Sequence, residues 1–458
     1  MAAERTDRDE AADKDDGARR LVRDAARGPL GAGDWARLTV GMVAVSLVAG
    51  LVVGLVVRLV LWAADLATSL VWDRLAGVVA CPLFPLVACT AGGVLIGLWV
   101  RHVGGVPDSL EEVLAKVKET GGYHVSSLPR SLVSFALPLA FGGAVGPEAG
   151  ASGLIAAGVT WAGESMRKAG LKAVRLTEVT MPAVFSAVFG TPLFGIAALM
   201  EDADTADFER FTFGRWGKVV LYTLASVGGL AGFMLVTKLV GGGGGGLPHL
   251  DAVGAGLLDG LVWFPLPLAV GYLLAQVSRA FATIARRAAD VLGDRPVLKA
   301  TVCGLLLGAV ALALPDVLFS GEEATGTIAG TWVTTGAATL ILTGVVKLAC
   351  TQTCISFGWM GGSFFPMIFS GVSVGYGLAA LTGADPMLMV AVTCAATVAG
   401  VTRKPVLAVS ILVLCFPLAD LPWLAVAAFV AGKVPALVGR EPKDPGVVGD
   451  AVGKANGV

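Results

Sequence analysis

Glu148 stands in the turn Gly146-Pro147-Glu148-Ala149-Gly150, with long apolar runs on both sides. A carboxylate at membrane depth is costly and marks a functional position. At a helix start the first N–H groups lack partners and the dipole leaves partial positive charge. A carboxylate there can take the place an anion would occupy, and on protonation it can leave. One side chain could then serve as both gate and proton carrier. The plainer role for Glu148 is to cap its own helix.

Two further turns share this glycine and proline punctuation, Gly104-Gly105-Val106-Pro107 and Gly361-Gly362-Ser363-Phe364-Phe365-Pro366. Helix starts bind an anion without a buried cation, which would hold it too tightly to release. Glycine lets the backbone approach the ion closely. The expected anion-binding residues are Gly104, Gly105, Val106 and Pro107, then Gly146, Ala149 and Gly150, and finally Gly362, Ser363, Phe364 and Pro366. Glu201 and Asp202 close the apolar run Pro192–Met200. They could pass a proton inward from cytoplasmic water, or they could mark the water interface, a trend Asp204 and Glu209 continue. Lys347 lies between apolar neighbours, where ion pairing or snorkelling at a helix end is expected.

The elements that must position these residues are apolar helices. Of 458 residues, 55% are hydrophobic and only 15% charged, with a mean hydropathy of +0.77. A soluble chain of this size would carry far more charge. Leu38 to Val57 runs without a charge, and Phe84–Val100, Val219–Val236 and Ala329–Val346 are similar. Roughly ten to fourteen such stretches occur, each near the length that crosses about 30 Å of hydrocarbon or somewhat short of it. The short ones are tolerable only where protein or a cavity shields their free backbone groups. The sequence therefore predicts an all-α integral membrane protein.

Several function classes drop out. A net charge of −1 with no basic, aromatic-interleaved stripe argues against nucleic acid. The seven cysteines lie mostly within apolar runs and lack metal-ligand spacing, so they read as small buried hydrophobes, and neither metal nor cofactor is expected. The chain contains neither His-Glu-x-x-His nor Gly-x-Ser-x-Gly, and its three histidines are scattered, so an enzyme is not expected. A purely structural bilayer protein would leave Glu148 and the repeated turns without a purpose.

Residues 1–37 are rich in Arg, Asp and Glu and read as a soluble, partly disordered or helical arm. Arg5, Arg8, Lys14, Arg19, Arg20, Arg23, Arg27 and Arg37 precede the first span, which predicts a cytoplasmic arm. Six consecutive glycines, Gly241–Gly246, form a flexible connection near the middle. Landmarks recur across it at nearly equal offsets: 217 from Gly104 to Gly321, 215 from Gly146 to Gly361, and 213 from Pro192 to Pro405. Three matching offsets argue for duplication, and such repeats place substrate sites where interrupted helices meet. The expected divisions are the arm at 1–37, a first membrane repeat at 38–240, a connection at 241–250, a second repeat at 251–440 and a tail at 441–458.

These residues resemble the CLC family of chloride channels and proton–chloride exchangers, over about residues 35 to 440. The family's Gly-Ser-Gly-Ile-Pro motif is similar to Gly104-Gly105-Val106-Pro107 with the preceding Val103. Its Gly-Arg-Glu-Gly-Pro motif is similar to Gly146-Pro147-Glu148-Ala149-Gly150, and its Gly-x-Phe-x-Pro motif to Gly362-Ser363-Phe364-Phe365-Pro366. The helix beginning near Phe189-Gly190-Thr191-Pro192 resembles the family helix that ends in an acidic pair. The resemblance implies about eighteen helices in two inverted repeats with broken helices, assembled as a homodimer with one pore per subunit. It implies that Glu148 is the gating glutamate and Asp202, with Glu201 beside it, the internal proton acid. The substrates it implies are a small anion, chloride foremost, and protons, moved across the cell membrane with both termini cytoplasmic. An uncoupled channel or uniporter, or transport of fluoride or bicarbonate, stays open.

The chain departs from the family pattern at three places. Gly104 replaces the motif serine and removes a hydroxyl donor; Pro147 replaces an arginine and has no N–H. The family's late tyrosine belongs near Lys433 to Leu437, where Ala436 is the nearest match. A wider, wetter and less chloride-selective site is expected. Few residues follow Arg440, so the regulatory cystathionine-synthase-like domains of some relatives are not expected.

Overall fold

The computed structural model describes residues 32–79, 81–103, 127–151, 214–240, 249–250, 257–413 and 415–437, with isolated positions between 153 and 193. The chain falls into two units, Met1–Val45 and Ser46–Val458. In the first, residues 32–45 are helical.

The described chain is helical, as its composition predicts. In order come α1 (Ala32–Ser69), α2 (Phe84–Val103), α3 (Leu128–Ala140), α4 (Gly214–Val240), α5 (Leu257–Trp263), α6 (Pro265–Val291) and α7 (Pro296–Ala311). Then follow α8 (Glu322–Thr335), α9 (Ala337–Ser356), α10 (Phe364–Thr382), α11 (Pro386–Thr402), α12 (Pro405–Leu412) and α13 (Leu421–Lys433). Proline opens α6, α7, α11 and α12, where its missing N–H costs no helical bond. Asp385 caps α11 by accepting from Leu388 N–H at 2.9 Å. Gly383, with φ 70°, ends α10, and Arg403, with φ 61°, ends α11.

Among the described residues six helical stretches are long and apolar enough to span a bilayer. Helices α7 and α11 are apolar but shorter, and α12 has only 8 residues, roughly 12 Å of rise. Such a fragment cannot span alone and needs protein around its ends. The peripheral helices keep an apolar stripe outward, as Val48, Val52, Val56 and Leu59 do on α1. α10 differs: 89% of its apolar core is buried, against 33–39% for the other long spans. It is sheathed by α8, α9 and α11, not by lipid, and it is the helix whose first turn faces Glu148.

Glycines set the closest crossings. A Cβ at Gly93 or Gly97 of α2 would run into the backbone of Ala300 or Val297 on α7, and one at Gly304 of α7 into Cys89 of α2. Without a hydrophobic drive between helices in lipid, such backbone approach supplies the packing energy. On α1, the buried Arg58 donates to Thr237 Oγ1 of α4 at 3.2 Å and to Asp65 Oδ2 at 3.0 Å, with Phe233 under its guanidinium.

Candidate functional site

Two of the three glycine turns expected to converge, those at Gly146 and Gly362, meet face to face. Gly146 N–H donates to Gly362 carbonyl at 2.8 Å, and Gly362 N–H returns the bond to Gly146 carbonyl at 2.8 Å. This isolated antiparallel pair joins points 216 residues apart. Each turn opens a helix beyond it: residues 148–151 are helical after Gly146, and α10 begins at Phe364. Two helix starts therefore face one another deep in the protein.

Glu148 lies between them, 1% exposed. Its Oε1 accepts from Phe364 N–H, the first amide of α10, at 2.7 Å. The Phe365 amide and the amide of Glu148 itself also bear on the carboxyl group. Oε2 is buried and has no hydrogen-bond partner among the described residues. The expectation placed this charge at the start of its own helix; the structure adds the opposed helix α10, whose N-terminal amides lack intrahelical partners. Ser363, the N-cap of α10, supplies no side-chain bond to them, so the Glu148 carboxylate fills that role.

The close fit explains the glycines. A Cβ at Gly146 would strike Glu148 Oε2, and one at Gly362 would strike the carboxyl carbon and Oε1. At both positions a side chain fits only if the Glu148 carboxyl group moves aside. Gly150 is tight against the Phe135 ring for the same reason. Ala149 is buried and Pro366 packs inside the first turn of α10.

Of the expected site residues, the structure brings Gly146, Glu148, Gly362 and Phe364 into direct contact and places Ala149, Gly150, Ser363 and Pro366 in the turns that carry them. Gly104, Gly105, Val106, Pro107, Glu201 and Asp202 lie outside the described residues. At the place of the missing tyrosine, residues 434–437 are pinned from α6. Tyr272 hydroxyl donates to Pro435 carbonyl at 2.6 Å, and Gln276 Oε1 accepts from Leu437 N–H at 2.9 Å. Tyr272 is thus engaged with main chain.

Lys347 behaves differently from expectation. It does not snorkel: it is fully buried midway along α9, and its amine is held by main-chain carbonyls at the end of another element, the short turn Pro315–Val317. Sequence reasoning missed those partners because carbonyls leave no mark on residue type.

Comparison with known proteins bears on the family and the fold. The sequence profile of the family described as voltage gated chloride channel (CLC) matches residues 88–435, more than half of the chain. Among solved structures, a CLC-type fluoride/proton antiporter superimposes with a TM-score of 0.67 at 19% identity, covering 88% of this chain and 96% of that one. A slow cyanobacterial Cl−/H+ antiporter gives 0.67 at 19%, covering 87% and 95%. A eukaryotic CLC transporter gives 0.62 at 20%, covering 85% and 72%. At these identities the structures speak for the fold. No individual curated protein matches the chain significantly.

Proposed function

The chain belongs to the CLC family of voltage gated chloride channels, and from that premise we propose that it exchanges a small anion, chloride foremost, for protons through a pathway gated by Glu148. The observation that carries this reading is the Glu148 Oε1 bond to the first amide of α10 at 2.7 Å. An ionised carboxylate there occupies donors that a hard, desolvated anion needs. An anion reaches those amides only when the side chain withdraws. Protonation favours withdrawal, because a neutral carboxyl group gains less from the positive end of a helix. Oε1 holds the donors, while Oε2 is the oxygen available to take the proton.

Exchange further requires an acid on the inner side, a role we assign to Asp202 with Glu201 beside it. In this reading we put the protein in the cell membrane with cytoplasmic termini, as a homodimer with one pathway per subunit. The matching fluoride/proton and chloride/proton antiporter structures support a coupled mechanism without choosing the anion.

The test is Glu148→Gln in proteoliposomes, with anion and proton fluxes recorded together. Glutamine keeps the acceptor but carries no proton. Proton movement driven by an anion gradient should vanish, while passive anion flux persists or rises. Persistent coupled pumping by Glu148→Gln rejects the gate. Anion flux with no proton flux in the wild type would leave the uncoupled channel, and parallel chloride, fluoride, nitrate and bicarbonate gradients would identify the ion.

A further inference from the structure

Lys347, on α9 between Val346 and Leu348, has a fully buried side chain. Its Nζ donates to four consecutive carbonyls: Asp316 at 3.2 Å, Val317 at 3.0 Å, Leu318 at 2.7 Å and Phe319 at 2.8 Å. Surrounded by acceptors, the nitrogen acts purely as a donor, which is the bonding of an ammonium group. It also lies 5.0 Å from the centroid of the Phe369 ring on α10.

The four carbonyls belong to the short 3-10 turn Pro315–Val317 and the two residues after it. Consecutive carbonyls can aim at one nitrogen only if the chain leaves regular helix. It does so at Leu318, which is extended, and then at Phe319, a non-glycine residue with φ 58°, a conformation that persists only where its surroundings hold it. Three contacts do so. Lys347 holds the Phe319 carbonyl, the ring sits edge-on to Trp72 with centroids 5.2 Å apart, and the amide donates to Gly142 carbonyl at 3.2 Å. Gly142 has φ 82° and lies just beyond α3, where the loop to Gly146 and Glu148 begins. Trp72 packs at the same place and donates from Nε1 to Ala140 carbonyl at 3.1 Å. Hydrogen bonds thus run from Lys347 through Phe319 to Gly142, and four residues of chain lead from Gly142 to the Gly146–Gly362 pair beside Glu148.

From this path we infer that Lys347 is a positioning residue for the Glu148 turn: it fixes Phe319, and Phe319 holds the loop that sets Glu148 against α10. Its effect on transport rests on the gate reading above; its effect on the loop does not. Lys347→Met keeps the volume and removes the donor. In the folded protein, the Gly146 and Phe319 amides should exchange hydrogen at least tenfold faster. The ratio of protons to anions moved should fall at least twofold, because a loosened gate lets anions pass without a proton. Lys347→Arg, which keeps a charged donor among the carbonyls, should recover most of the ratio. A role in general stability alone would lower the amount of folded protein without moving the ratio.

Phe319→Gly gives a second route should Lys347→Met fail to fold. Glycine accepts a positive φ freely and keeps the amide, but it frees the turn from Trp72. Exchange at Gly146 should quicken here too, by a smaller factor. Unchanged exchange at Gly146 in either folded variant overturns the inference. Faster exchange with an unaltered ratio upholds the positioning role and counts against the gate. In a Glu148→Gln background Lys347→Met should still loosen the loop, and failure there would overturn the inference whatever the gate does.

Discussion

Glu148 and Lys347 are both buried charges, and the protein solvates them in opposite ways. Glu148 faces helix starts and takes N–H groups; one oxygen is held by Phe364 N–H and the other has no partner among the described residues. Lys347 faces an unwound turn and takes carbonyls, four for an amine with three protons. The first group is under-satisfied and the second is saturated. A carboxylate held through one oxygen alone loses much of that hold when it is protonated. An ammonium ringed by carbonyls has no comparable exit, since leaving would strand several acceptors away from water. Mobility and fixity thus follow from counts of bonds, although both side chains are equally buried.

Stability gives the widest contrast. Lys347→Met leaves the turn carbonyls without their donor, and unpaired buried groups cost about 1–3 kcal/mol each. With partial relaxation, a loss of roughly 3–5 kcal/mol is expected, in the range found when one partner of a buried pair is removed. Glu148→Gln keeps an oxygen for Phe364 N–H and should shift stability by under about 1 kcal/mol, as a surviving hydrogen bond implies. Unfolding titrations in mixed micelles would compare the two. Equal losses would erase the distinction between a movable and a fixed charge.

The two charges were unequally legible in the sequence. Glu148 announced itself by residue type, by flanking glycines and by apolar runs on either side. That its donor sits 216 residues away was foreshadowed by the matching offsets, which paired Gly146 with the turn at Gly361. Helices and their proline starts were readable because apolar length and missing N–H groups are properties of residue type. The carbonyl ring around Lys347 was not readable, because every residue type supplies a carbonyl and only the backbone path aims it. Nor does Phe319 advertise its positive φ, since a phenylalanine in that conformation is held by tertiary contacts. The expected snorkelling of Lys347 failed on that account, and among the described residues its hydrogen bonds go to carbonyls.

A smaller effect should sharpen the picture at the gate. The Cβ of Gly362→Ala would occupy the space of the Glu148 carboxyl group. Either the carboxylate withdraws or the Gly146–Gly362 pair opens, and both weaken its hold on the Phe364 amide. Passive anion flux should rise roughly threefold to tenfold and the proton ratio should fall, a change equivalent to about 0.7–1.4 kcal/mol in the gate's equilibrium. Unaltered flux and coupling would mean that the carboxylate is not poised against this turn in the working protein. The same alanine should leave the Lys347 turn undisturbed, with hydrogen exchange at Phe319 as in the wild type.

The smallest effect concerns Ser363, whose hydroxyl is the one left in the three glycine turns once Gly104 has replaced the family serine. A hydroxyl that bonded the anion would be worth about 1.5–3 kcal/mol as a charge-assisted donor. In the structure Ser363 caps α10 by backbone alone, with no side-chain bond to the amides behind it. Its carbonyl accepts from Met367 N–H at 3.0 Å, a bond that alanine would keep. Ser363→Ala should therefore change anion affinity by less than about twofold and stability by under about 0.5 kcal/mol, the range of substitutions that break no buried bond. Titration calorimetry with chloride on both proteins reads the difference directly. A drop of tenfold or more would make Ser363 the substitute donor. The anion would then rest on a hydroxyl as well as on amides, and the account of Glu148 as a competitor for main-chain donors alone would have to give way.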